Sequence, residues 1–235
     1  MDSRETAEAF ATRSTPALAD ACLRIGMPPR LAPPGLRPVL PGTRAAGRAL
    51  PARHAGSVDV FLEALVDARS GDVLVIDNAA RSDEACIGDL VALEAKAAGL
   101  SGILVWGLHR DTSELAALGP PVWSYGATPV GPRRVDPRPA NALTRARFGD
   151  ESVGAGDLVF ADEDGAVFLD GLRAAEVLET ASRIARTERE QARRVREGRT
   201  LSEQFRFAEF LEGRAARPGL TFREHLKAVG GAIEV

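Results

Sequence analysis

Two successive units of the same construction, between Gly71 and Arg134, constrain this chain more than any other stretch. In the first, the apolar run Val73-Leu-Val-Ile76, ending at Asp77, leads through a polar loop to Gly88-Asp89. A helix-like segment over residues 90–98 follows, closed by Gly99. In the second, Ile103-Leu-Val-Trp106 leads through Gly107-Leu-His-Arg110-Asp111 to a short helix over residues 112–118, closed by Gly119. Short apolar runs alternating with helical spacing are the grammar of a βαβ layer, and ligands of such layers collect beyond the carboxyl ends of the strands. Asp89 and Asp111 are therefore expected to open two neighbouring helices on one rim, with Arg110 beside the second.

The rest of the chain is read outward from that block. Thr15-Pro16 supplies a helix start (N-cap, then an N1 proline), Leu18, Ala19, Cys22 and Leu23 an apolar face, and Gly26 a stop. Proline density over residues 28–41 predicts a wrapped loop, and Pro51 pushes the strand-like segment 47–53 toward a sheet edge. Residues 58–68 read as an amphipathic helix with Val58, Phe61, Leu62, Leu65 and Val66 on one side. Residues 121–124 read as a strand and 129–139 as a proline- and arginine-rich loop. Residues 143–148, 157–161 and 166–169 are short strands of a meander, with turns at 154–156 and 162–165. The three-and-four spacing of Ala174, Val177, Leu178, Ala181, Ile184, Ala185, Ala192 and Val195 predicts one long amphipathic helix to about Gly198. Further helices are expected over residues 202–212 and 222–229. This gives an α/β domain over residues 1–170 and a helical extension over 171–235 that packs on the same or a neighbouring subunit.

Several function classes are set aside by composition. A net charge of −3 supplies no electrostatic footprint for nucleic acid. The arginines between 183 and 199 are interleaved with Glu188, Glu190 and Glu197 and have no aromatic partners, so they read as a solvated or intersubunit face. Cys22 and Cys86 lie too far apart in sequence to suggest a disulfide framework or a cysteine zinc site. No apolar run reaches the length of a membrane span, and the first residues lack the layout of a signal peptide, so a cytoplasmic protein without a membrane partner is expected. No strand leads into the glycine-rich loop of a nucleotide-type cofactor site, which argues against a methyltransferase.

Each candidate site residue has a plain alternative. Asp111 with Glu114 three residues later is a helix capping pattern, and Asp89 could equally cap its own helix. Capping needs neither a guanidinium nor a second aspartate on the same rim. A site that holds a hard divalent cation and stabilises an oxyanion uses all of these: carboxylates for the metal, an arginine for developing charge and helix N–H groups for a carboxylate. His109 is either an acid or base near that site or a structural ring, and His54 and His225 show no metal-ligand spacing. Glu188 falls on the apolar stripe of the long helix, where a carboxylate needs a partner, whereas Glu190 is placed to pair with Arg194.

Gly88-Asp89, a gap of twenty residues and then Arg110-Asp111 resembles the Asp-x20-Arg-Asp signature of the RraA-like family, which includes 4-hydroxy-4-methyl-2-oxoglutarate aldolases and is often mislabelled as menaquinone methyltransferase. The similarity extends to Thr15-Pro-Ala-Leu-Ala-Asp20, Gly71-Asp-Val-Leu-Val-Ile-Asp77, Pro121-Val-Trp-Ser-Tyr-Gly126 with Pro129-Val-Gly-Pro132, and Gly156-Asp-Leu-Val-Phe-Ala-Asp-Glu-Asp-Gly165. It covers about residues 15–200. The resemblance implies a β/β/α layered fold of the swivelling-domain type, assembled as homotrimers or homohexamers. It also implies a class II, metal-dependent pyruvate aldolase acting on a small 2-oxo acid, with oxaloacetate decarboxylation as a side reaction. By position, Asp111 would hold Mg²⁺ or Mn²⁺, largely through waters. Arg110 would contact the keto oxygen and stabilise the enolate, and Asp89 would orient water at the metal or the substrate. The amides of Asp89, Leu90 and Val91 would receive the substrate carboxylate. Glu188 resembles a glutamate that enters the neighbouring subunit's site as an acid or base; its alternative is an intersubunit salt bridge. The family also contains non-enzymatic trimeric regulators that bind a ribonuclease or helicase. Such regulators are minimal in length, so the helical extension favours the enzyme. Trp106 and His109, together with Phe205, Phe207, Phe210 and Phe222 beyond residue 202, depart from the minimal family plan.

Overall fold

The computed structural model describes residues 3–230. In chain order the elements are α1 (Ser3–Phe10), α2 (Thr15–Arg24), β1 (Arg30–Leu31), β2 (Arg37–Pro38), β3 (Ala45–Arg53), α3 (Asp59–Val66), β4 (Val73–Asp77) and β5 (Ala85–Ile87). They continue with α4 (Asp89–Ala97), β6 (Gly102–Trp106), β7 (Leu108–His109), α5 (Thr112–Leu118), β8 (Val122–Ser124), β9 (Arg145–Phe148) and β10 (Glu151–Gly154). The last are β11 (Asp157–Asp162), β12 (Gly165–Asp170), α6 (Ala174–Arg196), α7 (Leu201–Gln204), α8 (Phe207–Ala216) and α9 (Phe222–Val229).

One curled sheet organises the molecule, in the order β1-β12-β11-β3-β4-β6-β8-β2. Its middle, β3-β4-β6-β8, is parallel, as the two βαβ units require, and antiparallel strands extend it on both sides. Alternation along β4 shows why the sheet bends. Val73 and Val75 face a concave core with Leu104, Trp123, Val159 and Phe168, whereas Leu74 and Ile76 face the helices. Side chains from both ends of the sheet thus meet in one core, which the β9–β10 hairpin fills with Ala146, Phe148 and Val153. The Trp123 indole N–H donates to the carbonyl of Asp162 at 2.8 Å, tying β8 to the end of β11 across the curl. On the convex side, α3, α4 and α5 cover the parallel strands, and α1, α2 and α6 cover β11 and β12. The result is an α/β fold in β/β/α layers.

Local differences from the sequence expectations have physical causes. Ser14, not Thr15, caps α2; the Thr15 hydroxyl instead donates to Asp162 at 2.6 Å, pinning the helix to the β11–β12 turn. The 28–41 loop is not wholly irregular, because two short pieces of it, β1 and β2, add to the sheet's outer strands. Pro51 lies in the middle of the sheet order, yet β11 pairs with β3 only as far as Arg48. No strand on that side asks for the missing N–H, so the residue sits on a local edge inside the sheet. The expected meander is split: Glu151–Gly154 forms β10 and pairs with β9 away from the main sheet. In α3 the buried residues are Val60, Phe61 and Ala64, while Val58, Leu62 and Val66 stay exposed. The 202–212 helix is broken at Arg206, which adopts a left-handed conformation (φ 54°), and the buried Phe205 and Phe210 turn their rings against Phe222 of α9. The α1 helix was not expected. Along α6 the buried stripe ends at Ala185, so Ala192 and Val195 do not join the core. Its distal half instead meets the C-terminal helices, where the Gln204 amide donates to the carbonyl of Gln191 at 3.2 Å.

Candidate active site at the strand ends

The parallel strands β4 and β6 end side by side, Asp77 opposite Trp106. Beyond that rim the chain pairs a second time: β5 and β7 run parallel, with Ala85 opposite Leu108 and Ile87 opposite His109. The Arg110 amide donates to the carbonyl of Ile87 at 3.0 Å. This pairing brings Gly88-Asp89 against Arg110-Asp111 although twenty residues separate them. Each segment then turns directly into a helix, so two helix N-termini lie next to two carboxylates and one guanidinium.

Asp111 does not cap its own helix. It adopts a left-handed conformation (φ 60°, ψ 45°), and its side chain makes no capping bond to α5. The carboxylate turns toward α4 instead: Oδ2 accepts from the Asp89 amide at 3.4 Å and lies 3.4 Å from Arg110 Nε. Gly88 makes the approach possible, since a β-carbon there would fall 2.2 Å from Asp111 Oδ2 and 3.2 Å from Arg110 Cγ. On the other side, Gly131 admits the guanidinium; a β-carbon would meet Arg110 Nη1 at 3.0 Å. The N-cap of α4 is Gly88, which offers no side chain, and Asp89 Oδ1 accepts from the Leu90 amide at 2.8 Å. Two of the three amides expected to receive a carboxylate, those of Asp89 and Leu90, are thus held by carboxylates of the chain itself. The turn accommodates negative charge, as a helix N-terminus does.

Gly88, Asp89, Leu90 and Arg110 border a cleft of about 260 Å³ whose walls also include His54, Val58, Val91 and Pro132, and Asp111 adjoins its rim through Asp89 and Arg110. That volume suits a small organic acid. Behind it lies a polar cluster that sequence spacing did not reveal. Glu84 is buried and paired with Arg134 at 2.8 Å and with Arg81 at 3.5 Å. His54 stacks on Phe61 with ring centroids 5.3 Å apart, and its Nδ1 lies 2.8 Å from Asn78 Oδ1. Burial holds the His54 pKa below its ordinary value, partly opposed by the Asn78 hydrogen bond. The members come from the residue that follows β3, the β4–β5 loop and the proline-rich loop, so no periodicity links them; an acidic residue placed just before an apolar strand was the one available hint.

His109 is structural. Its Nδ1 lies 2.6 Å from Ser124 Oγ and its Nε2 3.0 Å from Thr112 Oγ1, which leaves neither nitrogen for substrate. Trp106 lies beneath the Arg147 guanidinium, 5.2 Å from it. Glu188 stands beyond the end of the buried α6 stripe, exposed to solvent and outside the cleft of its own chain. Glu190 pairs with Arg194 at 2.9 Å, as its spacing predicts.

Among the described residues, no three histidine, cysteine or acidic side chains converge to form a metal cage. Asp111 and Asp89 alone supply two carboxylates, which suits a hard, largely hydrated cation such as Mg²⁺ and not a tetrahedral zinc site. The donor set therefore fits the cation that the signature implies.

The sequence model of the family described as RraA-like, Aldolase/RraA, matches residues 15–168. A curated protein of Shewanella oneidensis is 31% identical over 103 residues, 44% of this chain and 62% of that protein. One from Alcanivorax borkumensis is 33% identical over 97 residues, 41% of this chain and 59% of that protein. Both are provisionally named 4-hydroxy-4-methyl-2-oxoglutarate aldolases, and the chain spans about six tenths of their length. Among solved structures, an uncharacterized protein from Pseudomonas syringae superposes with a TM-score of 0.72 at 26% identity, covering 83% of this chain and 94% of the other. Streptomyces coelicolor RraAS2, described as an unusual member of the RNase ES inhibitor RraA protein family, gives 0.68 at 27% identity, covering 77% and 92%. Among the described residues, no helix is long and apolar enough to cross a membrane.

Proposed function

This chain belongs to the RraA-like family, and from that premise we propose that the cleft is the active site of a divalent-metal-dependent aldolase that cleaves a 4-hydroxy-2-oxo acid to pyruvate. The observation that carries the reading is the meeting of Arg110, Asp111 and Asp89 at the N-terminus of α4, with the Asp111 carboxylate turned away from the helix it could have capped. Asp111, with Asp89 nearby, would hold Mg²⁺ or Mn²⁺. When bound, the cation supplies a Lewis acid for charge developing on the substrate's keto oxygen.

The chain's own groups account for the rest. A substrate carboxylate seats at the first turn of α4, displacing the internal carboxylate contacts made there by the amides of Asp89 and Leu90, with Val91 completing the turn. Arg110 reaches the keto oxygen and neutralises the enolate left when the C3–C4 bond breaks. Asp89 orients water at the reacting end. Oxaloacetate decarboxylation produces the same enolate, so the same groups serve it. Homotrimers or homohexamers, with Glu188 of one subunit entering the next subunit's site, belong to the same reading.

The test is a coupled pyruvate assay across hydroxy-oxo acids, with chelator and with Mg²⁺ or Mn²⁺ restored. Activity is expected to vanish with chelator and return with metal. Arg110→Ala and Asp111→Asn are each expected to lower it by about 10²–10³-fold, the usual loss for a preorganised partner of an oxyanion. Full activity in either variant overturns the proposal. The likeness to RraAS2 supports a second reading, a non-enzymatic regulator of a ribonuclease or helicase. It predicts capture of such a partner and no chelator-sensitive turnover.

A further inference from the structure

The aldolase reading brings in Glu188 of a neighbouring subunit as an acid or base, but names no group of the cleft's own chain for the hydrogen on the C4 hydroxyl, which must leave before that carbon can become a carbonyl. We infer that His54 Nε2 is the base that takes it, an inference that rests on that reading and adds a residue outside the Asp-Arg-Asp group. His54 forms part of the cleft wall together with Asp89 and Arg110. Its tautomer follows from its neighbours. Arg134 Nη2 donates to Asn78 Oδ1 at 3.0 Å, which identifies that amide atom as the oxygen. The ring nitrogen facing the same oxygen at 2.8 Å, Nδ1, therefore carries the proton and donates it, the 3.5 Å approach of Arg134 Nη2 to Nδ1 being too long to compete. The lone pair is left on Nε2, and Nε2 makes no hydrogen bond among the described residues.

The surroundings suit a ring that cycles between neutral and charged. Stacking on Phe61 fixes its plane. Glu84 Oε1 lies 3.7 Å from Nδ1, close enough to stabilise the imidazolium once formed. Yet Glu84 is already neutralised by Arg134 and Arg81, so it does not force the ring to be charged at rest. The charged or polar groups acting on the ring are Asn78, Arg134, Glu84 and, across the β3–α3 connection, Asp59. In the step itself, Nε2 accepts the hydroxyl proton and the O–H pair becomes the second bond of the C4 carbonyl. The C3–C4 bond breaks, its electrons remain on the pyruvate fragment as the enolate, and C3 then takes up a proton to give pyruvate.

Oxaloacetate makes the experiment decisive, because it loses carbon dioxide without giving up a hydroxyl proton. The metal-supplemented protein and its His54→Gln variant are assayed for cleavage of 4-hydroxy-4-methyl-2-oxoglutarate and for oxaloacetate decarboxylation. The expected result is a loss of about 10²-fold or more in kcat for cleavage, with decarboxylation retained to within about twofold. Equal loss of both reactions by a folded variant, or retained cleavage, overturns the inference while leaving the aldolase reading in place. A wild type without either reaction overturns both. If the variant does not fold, the wild-type pH profiles decide. Cleavage is expected to fall on an acid limb, below pH 6.5, that decarboxylation lacks, and superimposable profiles overturn the assignment.

Discussion

Asp111 occupies a backbone conformation that few side chains tolerate, and the position of its carboxylate depends on that conformation. A left-handed residue just ahead of α5 aims its side chain backward, away from the helix it precedes and toward the one it adjoins. Aspartate and asparagine bear this conformation better than other non-glycine residues, whereas alanine there is strained by about 1 kcal/mol. Asp111→Asn is therefore a cleaner test of the charge than Asp111→Ala. Gly88 has no such constraint, with φ at −149°; what it supplies is space. Gly88→Ala is predicted to push the Asp111 carboxylate and the Arg110 side chain out of position, since its β-carbon would lie 2.2 Å from Oδ2. Both displaced side chains are partly exposed, so they can move without disturbing the core. The expected outcome is a fall in kcat for pyruvate release of at least about tenfold, as follows when a reacting group is misplaced by about an ångström. The thermal midpoint should stay near that of the wild type, and unchanged turnover would show that the close approach at Gly88 has no bearing on the chemistry.

At the scale of elements, the β5–β7 pair sets the distance between the two halves of the site, and His109 holds that pair to its neighbours. One ring nitrogen meets Ser124 at the end of β8 and the other meets Thr112 in the first turn of α5. Burial lowers the His109 pKa from its ordinary 6.5, and His54 is lowered for the same leading reason. The unfolded chain binds protons at these rings before the folded one does, so their contribution is full above pH 6.5 and is lost as pH falls through the lowered folded-state values. Thermal midpoints are predicted to decline between pH 7 and pH 5. In His109→Gln the midpoint should be lower at pH 8, through loss of the two-sided clamp, and should fall less on acidification. A variant as acid-sensitive as the wild type would assign the decline to other groups.

The same elements show what the sequence made legible. β4, β6, α4 and α5 were visible because strand runs and helical spacing each leave a periodic trace, and the meeting of Asp89 with Arg110-Asp111 follows from repeating that plan twice. β5, β7 and β10 are only two to four residues long, too short for a period to register. The capping pattern at Asp111 misled because it depends on a backbone angle that residue types alone do not set. The His54–Asn78–Glu84–Arg134 cluster was invisible for a different reason. Its members are joined by tertiary packing alone, and each looks ordinary in its own segment.

For the whole molecule, the question is whether one chain contains a complete site. Apolar side chains are left in solvent at the cleft wall, where Val58 is 48% exposed and Leu90 71%, and along α3, where Leu62 is 47% exposed and Val66 82%. Apolar groups gathered on neighbouring helices in this way suit burial against another copy of the chain. Glu188 is exposed on the half of α6 that extends past the core, outside its own cleft. In the assembly proposed above it would act on the neighbouring subunit, and complementation reads this out directly. Arg110→Ala and Glu188→Gln are each expected to be nearly inactive as pure assemblies. When the two variants are dissociated, mixed in equal amounts and reassembled, a site works if its own subunit keeps Arg110 and its neighbour keeps Glu188. Random mixing satisfies that condition at about one site in four, so about a quarter of wild-type pyruvate release should return. Recovery absent from a verified mixed assembly would confine Glu188 to the subunit that carries it or remove it from the chemistry. Full activity of the pure Glu188→Gln assembly would leave the residue a surface charge on α6 and the cleft dependent on the groups of a single chain.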